Sequence, residues 1–124
     1  MVVGKSGMGK STLCNYLLYG KPRSSEGFVV APGADPVTVE CRMIEVVSTP
    51  PPKRLTTAHA GGPLRTIDTP GIPDPQGRTL MFYDNIVLTA RRVGALNALI
   101  IVVAYTGDRD QIKQEFEAYS ILLK

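Results

Sequence analysis

The stretch VVGKSGMGKSTLCNYLL, residues 2–18, decides the fold. Residues 4–11 within it match the spacing G-x-x-x-x-G-K-[ST] at every position, with apolar residues before them and a helical pattern after them. Glycines at this spacing let the backbone turn tightly, so that successive N–H groups point at phosphate oxygens. The positive N-terminal end of the following helix adds to the attraction. Because both flanks fit as well, a flexible turn with a chance lysine is a poor alternative, and the stretch predicts a phosphate-binding loop.

Each position of the loop has a predicted role. Lys10 would neutralise charge on the β- and γ-phosphates of a nucleotide, and we interpret it as a catalytic residue. The hydroxyl of Ser11 would be a ligand of Mg²⁺. The predicted phosphate-binding residues are Gly4, Lys5, Ser6, Gly7, Met8, Gly9, Lys10, Ser11 and Thr12.

A second motif, IDTPG at residues 67–71, follows about sixty residues later at the end of a predicted strand. An aspartate at the carboxyl end of a strand faces the ligand crevice of an open α/β sheet. Asp68 is therefore predicted to hold Mg²⁺ through a bound water, and the backbone N–H of Gly71 to bond the γ-phosphate as a catalytic group. Alone, DTPG could be a plain turn, since threonine, proline and glycine are turn residues.

The composition restricts the classes of partner and compartment. The chain has 124 residues and a net charge of +3, and its basic residues are dispersed, so we do not expect a nucleic-acid partner. Two cysteines, Cys14 and Cys41, are too few for a disulfide scaffold and are predicted to be small buried hydrophobes in a reducing compartment, the cytoplasm. The longest apolar run, residues 98–105, is far below the ~20 residues of a membrane helix, and no membrane association is encoded in this stretch.

The order of elements predicts the fold class. Strand, helix, two strands, helix, strand and helix describe an α/β sandwich with a mostly parallel sheet. Because no helix separates the second and third strands, they are expected to be antiparallel neighbours. The predicted core faces carry Leu13, Leu17 and Leu18 in the first helix, Leu80, Tyr83, Ile86, Val87 and Ala90 in the second, and Ile112, Phe116, Tyr119 and Leu123 in the third. The predicted strands are 1–3, 37–47, 63–68 and 98–105, and the predicted helices are 11–20, 78–93 and 110–124, the last capped by Asp108 or Asp110.

Together these motifs resemble a known family. The loop with STLCNYLLYGK (11–21), PVTVEC (36–41) and IDTPGI (67–72) is similar to the TRAFAC class of GTPases. Within that class the chain most resembles the septin-related branch, namely the immunity-associated nucleotide-binding (GIMAP or IAN) proteins and the chloroplast-import GTPases, and residues 79–111 add a looser match. Era-like and dynamin-like GTPases remain alternatives. The resemblance implies a P-loop NTPase fold, with a partial three-layer sandwich and one antiparallel strand, GTP as substrate and Mg²⁺ as cofactor.

The resemblance also implies a switch I segment. Thr38 matches the family threonine that binds Mg²⁺ and senses the γ-phosphate, so it is interpreted as both a metal ligand and a catalytic residue. The alternative is a β-branched residue that simply favours a strand. Residues 21–37 would then form a loop that nucleoside triphosphate orders and hydrolysis releases.

Ile72 departs from the pattern of Ras-like enzymes, which carry at this position a glutamine that orients the attacking water. Unaided hydrolysis is therefore expected to be slow. The resemblance implies that self-association as a homodimer or oligomer across the nucleotide face would supply missing groups, as it does in related GTPases. Arg109 could act in this way across a dimer, although its primary interpretation is a solvated arginine before a helix. His59 is interpreted first as a surface histidine and only second as a catalytic one.

The guanine-specificity motif of the class, N/T-K-x-D, does not occur in the sequence. We therefore expect residues 1–124 to be the N-terminal part of a single GTPase domain, as a fragment or a truncated gene product, and base specificity cannot be inferred from the residues. Two other functions remain open. One is a nucleotide-dependent assembly protein that does not hydrolyse GTP, and the other is a P-loop enzyme that uses ATP.

Overall fold

A mixed sheet with helices on both faces organises residues 1–30, 38–47, 63–73, 76–105 and 108–120, which are the residues that the computed structural model describes. The elements are, in chain order, β1 (Val2–Gly4), α1 (Lys10–Tyr19), β2 (Arg42–Val46), β3 (Leu64–Asp68), α2 (Thr79–Val93), β4 (Ile100–Val102) and α3 (Arg109–Ser120).

The strand order is β2-β3-β1-β4. β1 pairs in parallel with both β3 and β4, and β2 pairs antiparallel with β3, from Arg42 opposite Asp68 to Val46 opposite Leu64. The predicted mostly parallel sheet with one antiparallel strand is confirmed. β2 lies at one edge of the sheet and β1 in its interior, so the phosphate-binding loop leaves an interior strand.

Two consecutive valines of β1 anchor the layers on either side of the sheet. Successive side chains of a strand point to opposite faces. Val2 lies in a cluster with Cys14, Leu18 and Phe28, which covers the sheet with α1. Val3 belongs to the opposite cluster, which brings in α2 and α3 and whose buried members are Met1, Val3, Ile67, Ile86 and Tyr119.

Two predicted strands are too long. The strand expected over 37–47 is observed only as Arg42–Val46, because Thr38 turns toward Asp68 instead of joining the ladder, and Cys41 lies just before the strand; position 37 is outside the described residues. The strand expected over 98–105 is observed only as Ile100–Val102, the length over which β1 provides a partner. β4 is an edge strand with half-buried residues, and Tyr105, at the end of the apolar run, is 93% exposed.

The faces of two helices also differ from the prediction. Leu80 is 81% exposed, whereas Phe82, outside the predicted stripe, is fully buried together with Ile86. In α3, Tyr119 is buried as predicted, but Phe116 of the same predicted stripe is 52% exposed, and Leu123 lies outside the described residues. Because α2 is apolar on more than one side, its position on the sheet decides which side is covered. Asp108 caps α3 as expected, accepting a hydrogen bond at Oδ1 from the N–H of Asp110 (2.9 Å). Among the described residues, no helix combines the length and the apolar character that crossing a membrane requires.

Candidate nucleotide-binding site

The loop between β1 and α1 has the backbone geometry that its glycines predict. Gly7 and Gly9 have φ values of 76° and 82°, in the left-handed region that side chains other than glycine disfavour. Gly9 is the N-cap residue of α1, and its carbonyl accepts the N–H of Leu13 at 2.8 Å. The loop thus ends at a helix N-terminus, where backbone N–H groups without helical partners favour an anion.

Lys10 lies under the loop rather than in solvent. It is buried, and its Nζ donates a hydrogen bond to the carbonyl of Lys5 (2.8 Å), which closes the loop around the amine. Burial lowers the pKa of Lys10, and the negative charge of Asp68 opposes this shift. An ammonium group with little water around it is suited to neutralising phosphate charge.

Three oxygen-bearing side chains from different elements meet beside Lys10. The hydroxyl of Ser11 donates to Oδ2 of Asp68 (2.6 Å), and the hydroxyl of Thr38 donates to the same oxygen (3.2 Å). The two hydroxyl oxygens are 3.4 Å apart. We call Ser11, Thr38 and Asp68 the oxygen triad. The structure therefore brings together the three residues predicted as metal ligands.

Asp68 is the least exposed member of the triad, with 1% of its surface accessible. Burial raises its pKa, while the hydrogen bond from Ser11, the charge of Lys10 and the hydrogen bond from Thr38 act in the opposite direction. One carboxylate and two hydroxyls are hard oxygen donors of the kind Mg²⁺ prefers, and Mg²⁺ usually takes only one or two carboxylates along with water and phosphate oxygens. The triad fits that ion.

Gly71 packs directly on the phosphate-binding loop. A Cβ at Gly71 would overlap the backbone nitrogen and Cα of Ser6, so only glycine fits in this position. The next residue, Ile72, donates its N–H to the carbonyl of Gly4 (3.3 Å). The phosphate-binding loop and the DTPG segment, which are inferred from separate motifs, are therefore in backbone contact. Met8 and Thr12 are half-buried within the loop and the first turn of α1.

The family model described as 50S ribosome-binding GTPase matches residues 1–123 of the chain. The match covers the loop, the oxygen triad and Gly71. The chain belongs to this GTPase family. Comparison with individually curated proteins gives no match.

Membership of the GTPase family supports the coarse predictions made from the motifs. The domain is of the TRAFAC type, GTP is the nucleotide that the family binds, and GTP hydrolysis is its reaction. The fold expected for a P-loop NTPase is confirmed.

Ile72 is turned into the interior of the GTPase. Its side chain packs against the cluster that contains Val3 and Ile67. The position that carries a water-orienting glutamine in Ras-like enzymes therefore contributes here to packing. Arg109 is exposed at the first position of α3. His59 lies outside the described residues, as does part of the predicted switch loop, residues 31–37.

Two residues of α3 to which the motifs assign no role contact the phosphate-binding loop and the residue after Gly71. Glu115 forms an ion pair with Lys5 (Oε1 to Nζ, 2.6 Å), and Tyr119 donates its hydroxyl proton to the carbonyl of Ile72 (3.0 Å). Their spacing of four residues places them on one face of the helix. That periodicity is the only signal in the sequence that relates them to each other, and none relates them to the loop.

Asn15 is a third residue to which the sequence motifs assign no role. It is fully buried in α1, and its amide nitrogen donates to the carbonyls of Pro22 (3.0 Å) and Phe28 (2.9 Å). Its Oδ1 accepts the N–H of Phe28 (2.7 Å). This residue fastens the segment after α1 to the helix, so the first part of the predicted switch loop is held in place.

Proposed function

We propose that the chain is a GTP-binding switch of the septin-related GIMAP type that hydrolyses GTP slowly with Mg²⁺ and is regulated by self-association across its nucleotide face. The observation that carries the proposal is the oxygen triad, which joins the residue after the loop lysine, a threonine of the switch I segment and the DTPG aspartate. A plain turn at DTPG, or a threonine that served only a strand, would not require these oxygens to converge.

The proposed roles follow from the positions of the side chains. Lys10 and the loop N–H groups would hold the phosphates, and the N–H of Gly71 would bond the γ-phosphate. Ser11, Thr38 and Asp68 would hold Mg²⁺, with Asp68 acting through a water. When bound, Mg²⁺ neutralises charge on the β- and γ-phosphate oxygens. Because Thr38 and Gly71 belong to separate segments, a γ-phosphate that contacts both would order both.

Slow hydrolysis is inferred from Ile72. Its apolar side chain packs into the core and has no group that could orient water. The same observation favours the second candidate, a GTP-dependent assembly protein that does not hydrolyse its nucleotide. The third candidate, an ATP-using enzyme, is disfavoured by membership of a GTPase family. The ribosomal partner in the family description is not part of the proposal, because the basic residues of this chain are dispersed rather than clustered.

The test is single-turnover release of phosphate from γ-labelled GTP over a hundredfold range of protein concentration, with Mg²⁺ or with EDTA. A Mg²⁺-dependent rate that rises with concentration supports the proposal. No release at any concentration, with GTP still bound, supports the assembly protein. Ser11→Ala should abolish the Mg²⁺ dependence, whereas Asn97→Ala, at an exposed position before β4, is the control and should have no effect.

Base preference is tested separately by competition of unlabelled GTP and ATP against a bound fluorescent GDP. Displacement by GTP but not by ATP supports the proposal, and equal displacement contradicts it. We also propose a cytoplasmic location for the chain, because Cys14 and Cys41 are free thiols. Microscopy of a tagged chain in cells would test this location.

A further inference from the structure

Helix α3 contacts both the phosphate-binding loop and the segment that follows Gly71. Glu115 holds Lys5 of the phosphate-binding loop, and Tyr119 holds the carbonyl of Ile72, the residue after Gly71. None of the roles assigned above uses either residue. Glu115 contacts a side chain of the loop, whereas Tyr119 contacts the backbone of Ile72 and lies beside that of Gly4. The loop would serve every phosphate of a nucleotide, whereas Gly71 would serve the γ-phosphate alone.

The hydroxyl of Tyr119 is a fixed donor. The side chain is 2% exposed and belongs to the buried cluster of β1, β3 and α2. Burial raises the pKa of Tyr119 to about 12, so the hydroxyl keeps its proton at every physiological pH. A donor with a fixed ring and a retained proton gives its acceptor, the Ile72 carbonyl, one preferred position.

Ile72 is held on both sides of its α-carbon. Its N–H bonds the carbonyl of Gly4, and its carbonyl accepts the proton of Tyr119. Gly71 precedes it directly and lies against Ser6 with no room for a side chain. Since the chain is continuous, the two hydrogen bonds of Ile72 restrict where the N–H of Gly71 can lie relative to the loop.

We propose that Tyr119 is a positioning residue for the triphosphate state: by holding the carbonyl of Ile72 it keeps Gly71 beside the phosphate-binding loop, and so contributes to the preference for GTP over GDP. The inference rests on the proposed function. Without the hydroxyl, Gly71 would have to be ordered when the γ-phosphate binds, and GTP would be bound more weakly. GDP lacks that phosphate and does not use Gly71.

Glu115 provides an internal contrast. Its side chain is 11% exposed, its Oε1 pairs with Lys5, and its Oε2 is buried without a hydrogen-bond partner among the described residues. The pair lies at the loop, which GDP and GTP share. A change at Glu115 should therefore alter the affinity for both nucleotides by the same factor.

The experiment measures dissociation constants of the whole chain for the fluorescent N-methylanthraniloyl forms of GDP and of a non-hydrolysable GTP analogue, with Mg²⁺. Tyr119→Phe should weaken binding of the analogue about 2- to 10-fold, the range for one neutral hydrogen bond, and leave GDP unchanged. Glu115→Gln should weaken both equally. Tyr16→Phe, which removes the hydroxyl of a half-exposed tyrosine on α1, is the control and should change neither.

An unchanged ratio of the two affinities in Tyr119→Phe would overturn the inference, and so would an equal loss for both nucleotides. A selective loss of the analogue in Glu115→Gln would also contradict it, since the two contacts would then not be distinct. If the unmodified chain binds neither nucleotide, the proposed function fails and the inference fails with it. Because each variant is compared by a ratio of two ligands, a partly unfolded fraction cancels.

Discussion

Replacing Asn15 with alanine should destabilise the fold strongly, although the sequence motifs assign no role to this residue. The change removes the donor to Pro22 and Phe28 and the acceptor for the N–H of Phe28. Pro22 is exposed, so water can replace its lost partner. Phe28 is buried, and its N–H and carbonyl would both lose a partner away from solvent.

Each buried backbone group left without a hydrogen bond costs about 1–3 kcal/mol. Two such groups at Phe28, with some relaxation of the loop, give an expected loss of about 2–5 kcal/mol in the free energy of unfolding. This is a large share of the roughly 5–15 kcal/mol that stabilises a typical domain. Urea titration followed by far-ultraviolet circular dichroism measures the loss. Asn97→Ala, at an exposed position before β4, should stay within about 0.5 kcal/mol of the unmodified chain.

A loss below about 1 kcal/mol for Asn15→Ala would refute the reasoning, because it would mean that other groups satisfy Phe28. Asn15→Asp gives an independent check. Its carboxylate could still accept the N–H of Phe28, but its second oxygen would face two carbonyls where an N–H₂ group now donates. The variant should therefore be at least as unstable as alanine at neutral pH, and should recover as the carboxyl gains a proton in acid.

Three further predictions concern the site and the thiols. Because burial raises the folded-state pKa of Asp68, the protonated carboxyl contributes stability in acid, and this contribution is lost as pH rises through that pKa. Asp68→Asn should remove this pH dependence in urea titrations and be at least as stable as the unmodified chain at pH 7. The variant should nevertheless lose Mg²⁺-dependent GTP binding. Gly71→Ala should lower stability by about 1–3 kcal/mol in thermal melts, because its Cβ overlaps Ser6; an unchanged midpoint would contradict the close approach. Burial raises the pKa of the Cys14 thiol to about 12 and that of Cys41 to about 11, so both should react with Ellman's reagent far more slowly than a free thiol at pH 8 until urea is added.

Features with a local cause could be predicted from the sequence. The left-handed conformations at Gly7 and Gly9 follow from residue type, and the antiparallel pairing of β2 with β3 follows from the lack of a helix between them. The convergence of Ser11 and Asp68 follows from topology, because both follow neighbouring parallel strands at the same edge of the sheet.

Features with a distant cause could not be predicted. The choice of Phe82 over Leu80 as the buried side chain depends on where the sheet lies under α2, and both residues have the right spacing for a helical stripe. The ion pair of Lys5 with Glu115 joins residues 110 positions apart, for which no local pattern exists. The sequence predicts Thr38 within a strand that it does not join, since its hydroxyl bonds Asp68 instead.

The burial of Val2 and Val3 on opposite faces of β1 has a consequence for the timescales of the molecule. β1 lies between two parallel neighbours, so its amide protons should exchange with deuterium only when the whole sheet opens. Residues 5–9 follow directly and form a loop in which Gly7 and Gly9 are exposed. The amides of this loop should exchange through small local openings. The boundary between slow and fast exchange would fall at Gly4. The predicted phosphate-binding loop would then be attached directly to the strand whose amides exchange most slowly.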